Sequence, residues 1–146
     1  MKPGKVVQIY RNFPLDIHPN APGAAKAALC TGDQDPKLFW EMHDWLFENQ
    51  GSWQGLAGKD AAEQFRQQAL AIGLDSSKYD ECIADPKTQA QIDNDMKDGS
   101  ALGVRGTPAF FLYKQEDGKE VGSPTPLSGA LPYAQFSQVI DSLLNQ

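Results

Sequence analysis

A chain of 146 residues with 40% apolar and 22% charged residues has the size and balance of one domain built around a hydrophobic core. Its net charge of −6, from 13 basic and 19 acidic side chains, leaves no basic stripe for a phosphate backbone and excludes nucleic acid as a partner. No run approaches the roughly 18 apolar residues of a membrane span, and the N-terminal MKPGKVVQIYRNFPLD lacks the apolar core and cleavage site of a signal peptide, so the sequence as written reads as cytoplasmic.

Taken in chain order, residues 5–10 (KVVQIY) are β-branched and aromatic, bounded by Pro3-Gly4 and Pro14, and read as a strand. Asn20 is placed to cap a short helix through AAKAALC, with Gly32 as its stop. Asp35-Pro36 is an N-cap followed by proline at the first helical position. Behind it Leu38, Phe39, Met42, Trp45 and Leu46 recur at helical spacing, and Gly51 is expected to close that helix. The glycine-rich stretch from Gly51 to Asp60 reads as a loop, and Asp60 with Glu63 resembles a capping box for a helix carrying Phe65, Ala69 and Ile72. Asp75 caps a short helix with Tyr79, Cys82 and Ile83. Asp85-Pro86 opens a polar one anchored by Ile92 and Met96, its acidic side facing solvent, which Gly103 ends. PAFFLY (108–113) reads as a strand, Asp117-Gly118 as a turn, and a second strand follows within 120–130; its Pro124 and Pro126 assign it to a sheet edge. Pro132 opens a last helix with Tyr133, Phe136, Ile140, Leu143 and Leu144 turned inward. The tally is α/β or α+β, with a small sheet and a large helical part.

In that order, RNFPLDIHPNA, AAKAALC, FWEMHDWLFENQ, ALGVRGTPAFF and SGALPYAQF resemble the DsbA-like thioredoxin-fold proteins, over nearly the whole chain. The resemblance implies a thioredoxin-like fold of one domain, 1–146, in which 5–14 and 103–146 supply the thioredoxin core and 15–102 a helical insertion. It implies a reduced sheet as well. The family's first core strand and its C-x-x-C would precede Lys5, where only MKPG stands. Three outcomes suit such a gap: the remaining strands close up, two chains share edges as a homo-oligomer, or a separate fragment fills it.

The chemistry follows from the same comparison. Disulfide exchange needs an accessible, activated thiolate and a resolving partner, so the resemblance to protein-disulfide oxidoreductases implies an ancestry whose activity this chain lacks alone. X-Pro bonds are mostly trans, but Thr107-Pro108 matches the family's cis-proline, whose preceding residue pairs with an extended substrate peptide. Thr107, Pro108 and Arg105 are therefore the candidate binding residues. Cys30 and Cys82, the only cysteines, are either a structural bridge or buried thiols; the resemblance implies a structural pair, since some relatives carry a second one in the inserted domain. His18 and His43 do not combine with them into a metal pattern, the aromatic set Phe39, Trp40, Trp45 and Phe47 reads as packing, and no P-loop, dinucleotide or serine-nucleophile motif is present, so no cofactor is expected. The alternative is a non-catalytic thioredoxin-like scaffold that binds peptides or dimerises.

Overall fold

Three of the helices begin where an Asp side chain accepts from an amide of the first turn. A computed structural model of the protein describes residues 5–116 and 119–145; the expected Asp117-Gly118 turn lies outside them. Seven helices and two strands are described: α1 (Ala21–Gln34), α2 (Pro36–Glu48), α3 (Gln50–Trp53), α4 (Gly58–Ala71), α5 (Ser76–Ala84), α6 (Pro86–Ala101), β1 (Ala109–Glu116), β2 (Lys119–Ser128) and α7 (Tyr133–Leu144). The chain divides into two compact units, a helical one, Arg11–Ala101, and a second made of Met1–Tyr10 with Leu102–Gln146.

In the helical unit the three Asp caps form as the sequence predicts. Lys37 N–H donates to Asp35, Lys78 N–H to Asp75 and Lys87 N–H to Asp85, at 2.8, 2.9 and 2.8 Å. Four other expectations differ. Gly32 does not stop α1 but lies inside it, because a Cβ there would stand 3.1 Å from the Cβ of Phe39; the glycine lets α1 and α2 approach closely. Asn20 does not cap with its side chain; its amide instead donates to the carbonyls of Trp53, Gln54 and Leu56. Asp60 is not the N-cap of α4, which starts two residues earlier after Ala57, and it serves as an anion in the first turn. Gly51 likewise sits within α3 rather than in a loop.

The core of this unit gathers Ala27, Met42, Leu46, Trp53, Phe65 and Ala69, with Leu38, Phe39 and Trp45 packed around it. Small buried residues on α1 let α2 and α4 pack against it, and Trp53 meets Phe65 edge to face at 5.3 Å. Its indole N–H donates to Leu46 C=O. The expected solvent-facing acidic side of α6 has one exception. Asp95 is 5% exposed and accepts from Arg11 Nη1 (2.9 Å), Asn12 N–H (2.9 Å) and Asn12 Nδ2 (3.2 Å), which clips the start of the unit to its last helix.

The second unit is built differently. β1 and β2 form an antiparallel pair with Ala109 opposite Ser128 and Glu116 opposite Lys119, irregular between Leu112 and Lys114. Phe110 packs edge to face on Phe136 of α7 at 4.7 Å. No described residue of this unit is buried, and Tyr133 and Leu144, expected to face inward, are 70% and 41% exposed. Residues 5–10 correct a second expectation. They take no place in the sheet, so they do not close up on the other strands, and Val7 and Ile9 are 77% and 67% exposed. A β-branched run becomes a strand only when a neighbour completes its ladder.

Candidate functional site

Loop 102–108 brings all three sequence candidates, Arg105, Thr107 and Pro108, beside a strand end. α6 ends at Ala101 and the chain turns at Gly103, whose φ of +82° is the left-handed conformation glycine adopts without strain. The chain then runs through Val104, Arg105 and Gly106 to Thr107-Pro108, whose peptide bond is cis. Together with the first residues of β1 and the last of β2 this loop lines an open cleft of about 410 Å³. Its walls are apolar where Leu102, Val104, Phe110 and Leu127 contribute, and Arg105 is the one charged residue among its described lining. No described carboxylate lies within ion-pair distance of Arg105.

The register decides which backbone groups this site offers. Gly129 N–H donates to Pro108 C=O at 2.9 Å. In an antiparallel ladder, hydrogen-bonded and non-hydrogen-bonded pairs alternate. Phe110–Leu127 and Leu112–Thr125 therefore exchange bonds inside the hairpin, while Ala109 and Phe111 turn their N–H and C=O outward, away from β2. On the opposite strand Pro126, the partner of Phe111, has its nitrogen on the outer side, and Pro124 lies two residues before it. Proline carries no N–H, so β2 presents a depleted edge and β1 an intact one. The spacing of Pro124 and Pro126 by two was a signal in the sequence for this asymmetry; the outward groups of Ala109 and Phe111 needed the register.

Cys30 and Cys82 sit elsewhere, in the helical unit, where a disulfide joins α1 to α5. Cys30 is fully buried. Cys82 is partly exposed and borders a polar cleft of about 380 Å³ lined by Asp33, Lys78, Glu81, Asp85 and Lys87. Its Sγ stands 3.5 Å from Asp33 Oδ2 and 3.6 Å from Thr88 Oγ1. Thiol exchange at Cys82 would have to expel Cys30 as an anion into the core, where burial disfavours the charged form.

The described residues combine helices with a two-stranded antiparallel sheet and a cis-proline loop at its end. The chain belongs to the thioredoxin family, whose family model, described as thioredoxin, matches residues 1–142. It is also similar to part of a protein named Na(+)/H(+) antiporter NhaA 1 from Salinispora arenicola (strain CNS-205), at 36% identity over 105 residues. That match covers 71% of this chain and 15% of the antiporter, so the chain spans a small part of that relative's length. No solved structure matches.

Proposed function

We propose that the protein is a DsbA-like member of the thioredoxin family whose proline loop receives an extended peptide, and that it carries out no disulfide exchange by itself. Thr107, Pro108 and Arg105 are its binding residues, and the helical unit Arg11–Ala101, lying in sequence between the two parts of the strand unit, supports reading it as the DsbA-type insertion. The observation that carries the proposal is the outward-facing backbone of Ala109 and Phe111 beside the loop, the arrangement that strand addition uses. The chain's two cysteines are bonded to each other, with Cys30 out of reach, which supports a structural role for them. A formed bridge also fits an oxidising compartment better than the cytoplasm that the N-terminal residues suggested. The transport activity in the antiporter's name is not carried over; among the described residues no helix is long and apolar enough to cross a membrane.

The test has two arms. Incubated with a disulfide-bonded protein substrate and a thiol reductant, the chain gives no turnover above background; turnover that disappears in Cys30→Ser would overturn the inactive reading. Titrated with a capped, β-branched peptide, the protein shows slowed amide exchange at Ala109 and Phe111, whereas unchanged exchange there with no binding removes the peptide reading.

The second reading, a dimerisation scaffold, rests on the absence of any buried residue among those described in the strand unit. Light scattering at micromolar concentration decides it: a strictly monomeric mass excludes it.

A further inference from the structure

The intact edge of β1 has a specific electrostatic setting, and it narrows the kind of chain that fits. Loop and strand edge together supply outward backbone donors and acceptors at Ala109 and Phe111, apolar contacts from Leu102, Val104, Phe110 and Leu127, and one guanidinium. Arg105 is exposed, two residues before Thr107, and no described acidic side chain pairs with it. The cation nearest in sequence on β1, Lys114, is committed to Glu116 at 3.0 Å. We infer that the extended segment received at this edge is an acidic one: a β-strand-forming peptide with an Asp or Glu side chain that meets Arg105 while its backbone pairs with β1.

The inference rests on the peptide reading and adds to it the chemical class of the ligand. An unpaired arginine beside apolar walls is suited to a carboxylate, because its planar fork donates two parallel hydrogen bonds to the two carboxylate oxygens. The net charge of −6 opposes an acidic ligand. At about 0.15 M salt, however, charges beyond roughly 8 Å are largely screened, while a guanidinium in contact is not. Local attraction therefore outweighs the distributed repulsion. A segment carrying Lys or Arg at that position would meet Arg105 with like charge. The β2 edge, depleted by Pro124 and Pro126, does not compete for the strand.

The probe is a family of capped, amidated seven-residue peptides rich in Val and Thr, with one Glu moved through the sequence, each matched by a Gln twin. Blocking both ends leaves the side chain as the only carboxylate. Fluorescence polarisation should show the best Glu peptide binding about threefold to fivefold more tightly than its twin, the range an exposed charge pair supports. The difference should shrink as salt rises. Arg105→Glu should reverse the preference, and Arg105→Lys should keep part of it, which shows that a folded loop still reads charge. If Glu and Gln peptides bind the native protein equally, the acidic class is overturned and the peptide reading stands. A preference that survives Arg105→Glu overturns it too. If no peptide of either kind binds, both this inference and the peptide reading fall.

Discussion

The helical unit and the strand unit share one chain, yet among the described residues only the helical unit buries side chains. Between Arg11 and Ala101 the chain buries Met42, Phe65 and Ile92 at 2% exposure or less and ties α1 to α5 through Cys30–Cys82. Among the described residues of the strand unit none is buried; Phe110 meets Phe136 ring to ring, yet Phe110 itself is 37% exposed. Helices complete their backbone hydrogen bonds within themselves and need neighbours only for their apolar stripe. A two-stranded sheet leaves an edge on each side, and a hairpin of this size is marginal in water without further layers. The difference teaches that the helical unit supplies stability while the strand unit supplies accessible backbone, and accessible backbone is what a binding site requires.

Core truncation tests this contrast hardest. Phe65→Ala removes a ring that touches Trp53 and lies at 2% exposure, and it is expected to cost about 3–5 kcal/mol. Phe110→Ala removes a ring that already meets solvent and is expected to cost about 1 kcal/mol. Urea unfolding followed by far-ultraviolet circular dichroism measures both. Equal costs would show that the strand unit has an interior after all.

The disulfide comes next. Its two cysteines are 52 residues apart, so replacing both by serine releases a long loop in the unfolded chain and should lower stability by about 4 kcal/mol. The loss should fall on the helical unit: amide protection in α1 and α5 should drop first, and exchange in β1 should change little. A mixed outcome, with β1 losing as much as α1, would mean that the two units unfold together.

How far the sequence reveals this division depends on how local each signal is. Asp35, Asp75 and Asp85 act on amides two or three residues away, and all three caps form as read. Gly32 misleads because glycine serves equally as a stop and as a place where helices touch, and only the position of Phe39, seven residues on, separates the two. Asn20 misleads for the same reason, since its acceptors lie on residues 53–56. The strand expected at 5–10 fails because alternation specifies a face and not a partner. In α7 the apolar stripe is real, but periodicity does not say whether anything covers it. For the candidate site, the loop 105–108 is legible from its resemblance to a family, whereas the outward groups of Ala109 and Phe111 follow from hydrogen-bond register.

Asp95 offers a smaller break. Asp95→Ala leaves the Asn12 N–H and side-chain amide without their acceptor in a site where both residues are about 95% covered, and should cost about 1–3 kcal/mol. Asp95→Asn keeps an acceptor oxygen and should recover part of that loss. A cost near zero for Asp95→Ala, measured by the same urea unfolding, would show that water reaches Asn12 and that the helical unit is looser at its edge than its core suggests.

The smallest effect lies on the surface of the same unit, where Arg66 on α4 grips Asp80 on α5 through two hydrogen bonds of 2.7 and 2.8 Å. The guanidinium holds the Asp80 carboxyl below its ordinary value of 3.8, first through the hydrogen bond and then through its charge. A carboxyl whose folded value is depressed stabilises the fold above its unfolded value, and that contribution is lost as pH falls through the lowered one. The pair therefore works throughout the neutral range and fails only in acid. Salt and solvent weaken such exposed pairs, so the change in unfolding should be slight, but the titration is direct. Carbon-detected NMR should place the Asp80 midpoint below 3.8 in the native protein, and Arg66→Gln should raise it toward that value. An unmoved midpoint would mean that other groups around α5 set the charge of Asp80, and that the α4–α5 contact depends on its apolar side alone.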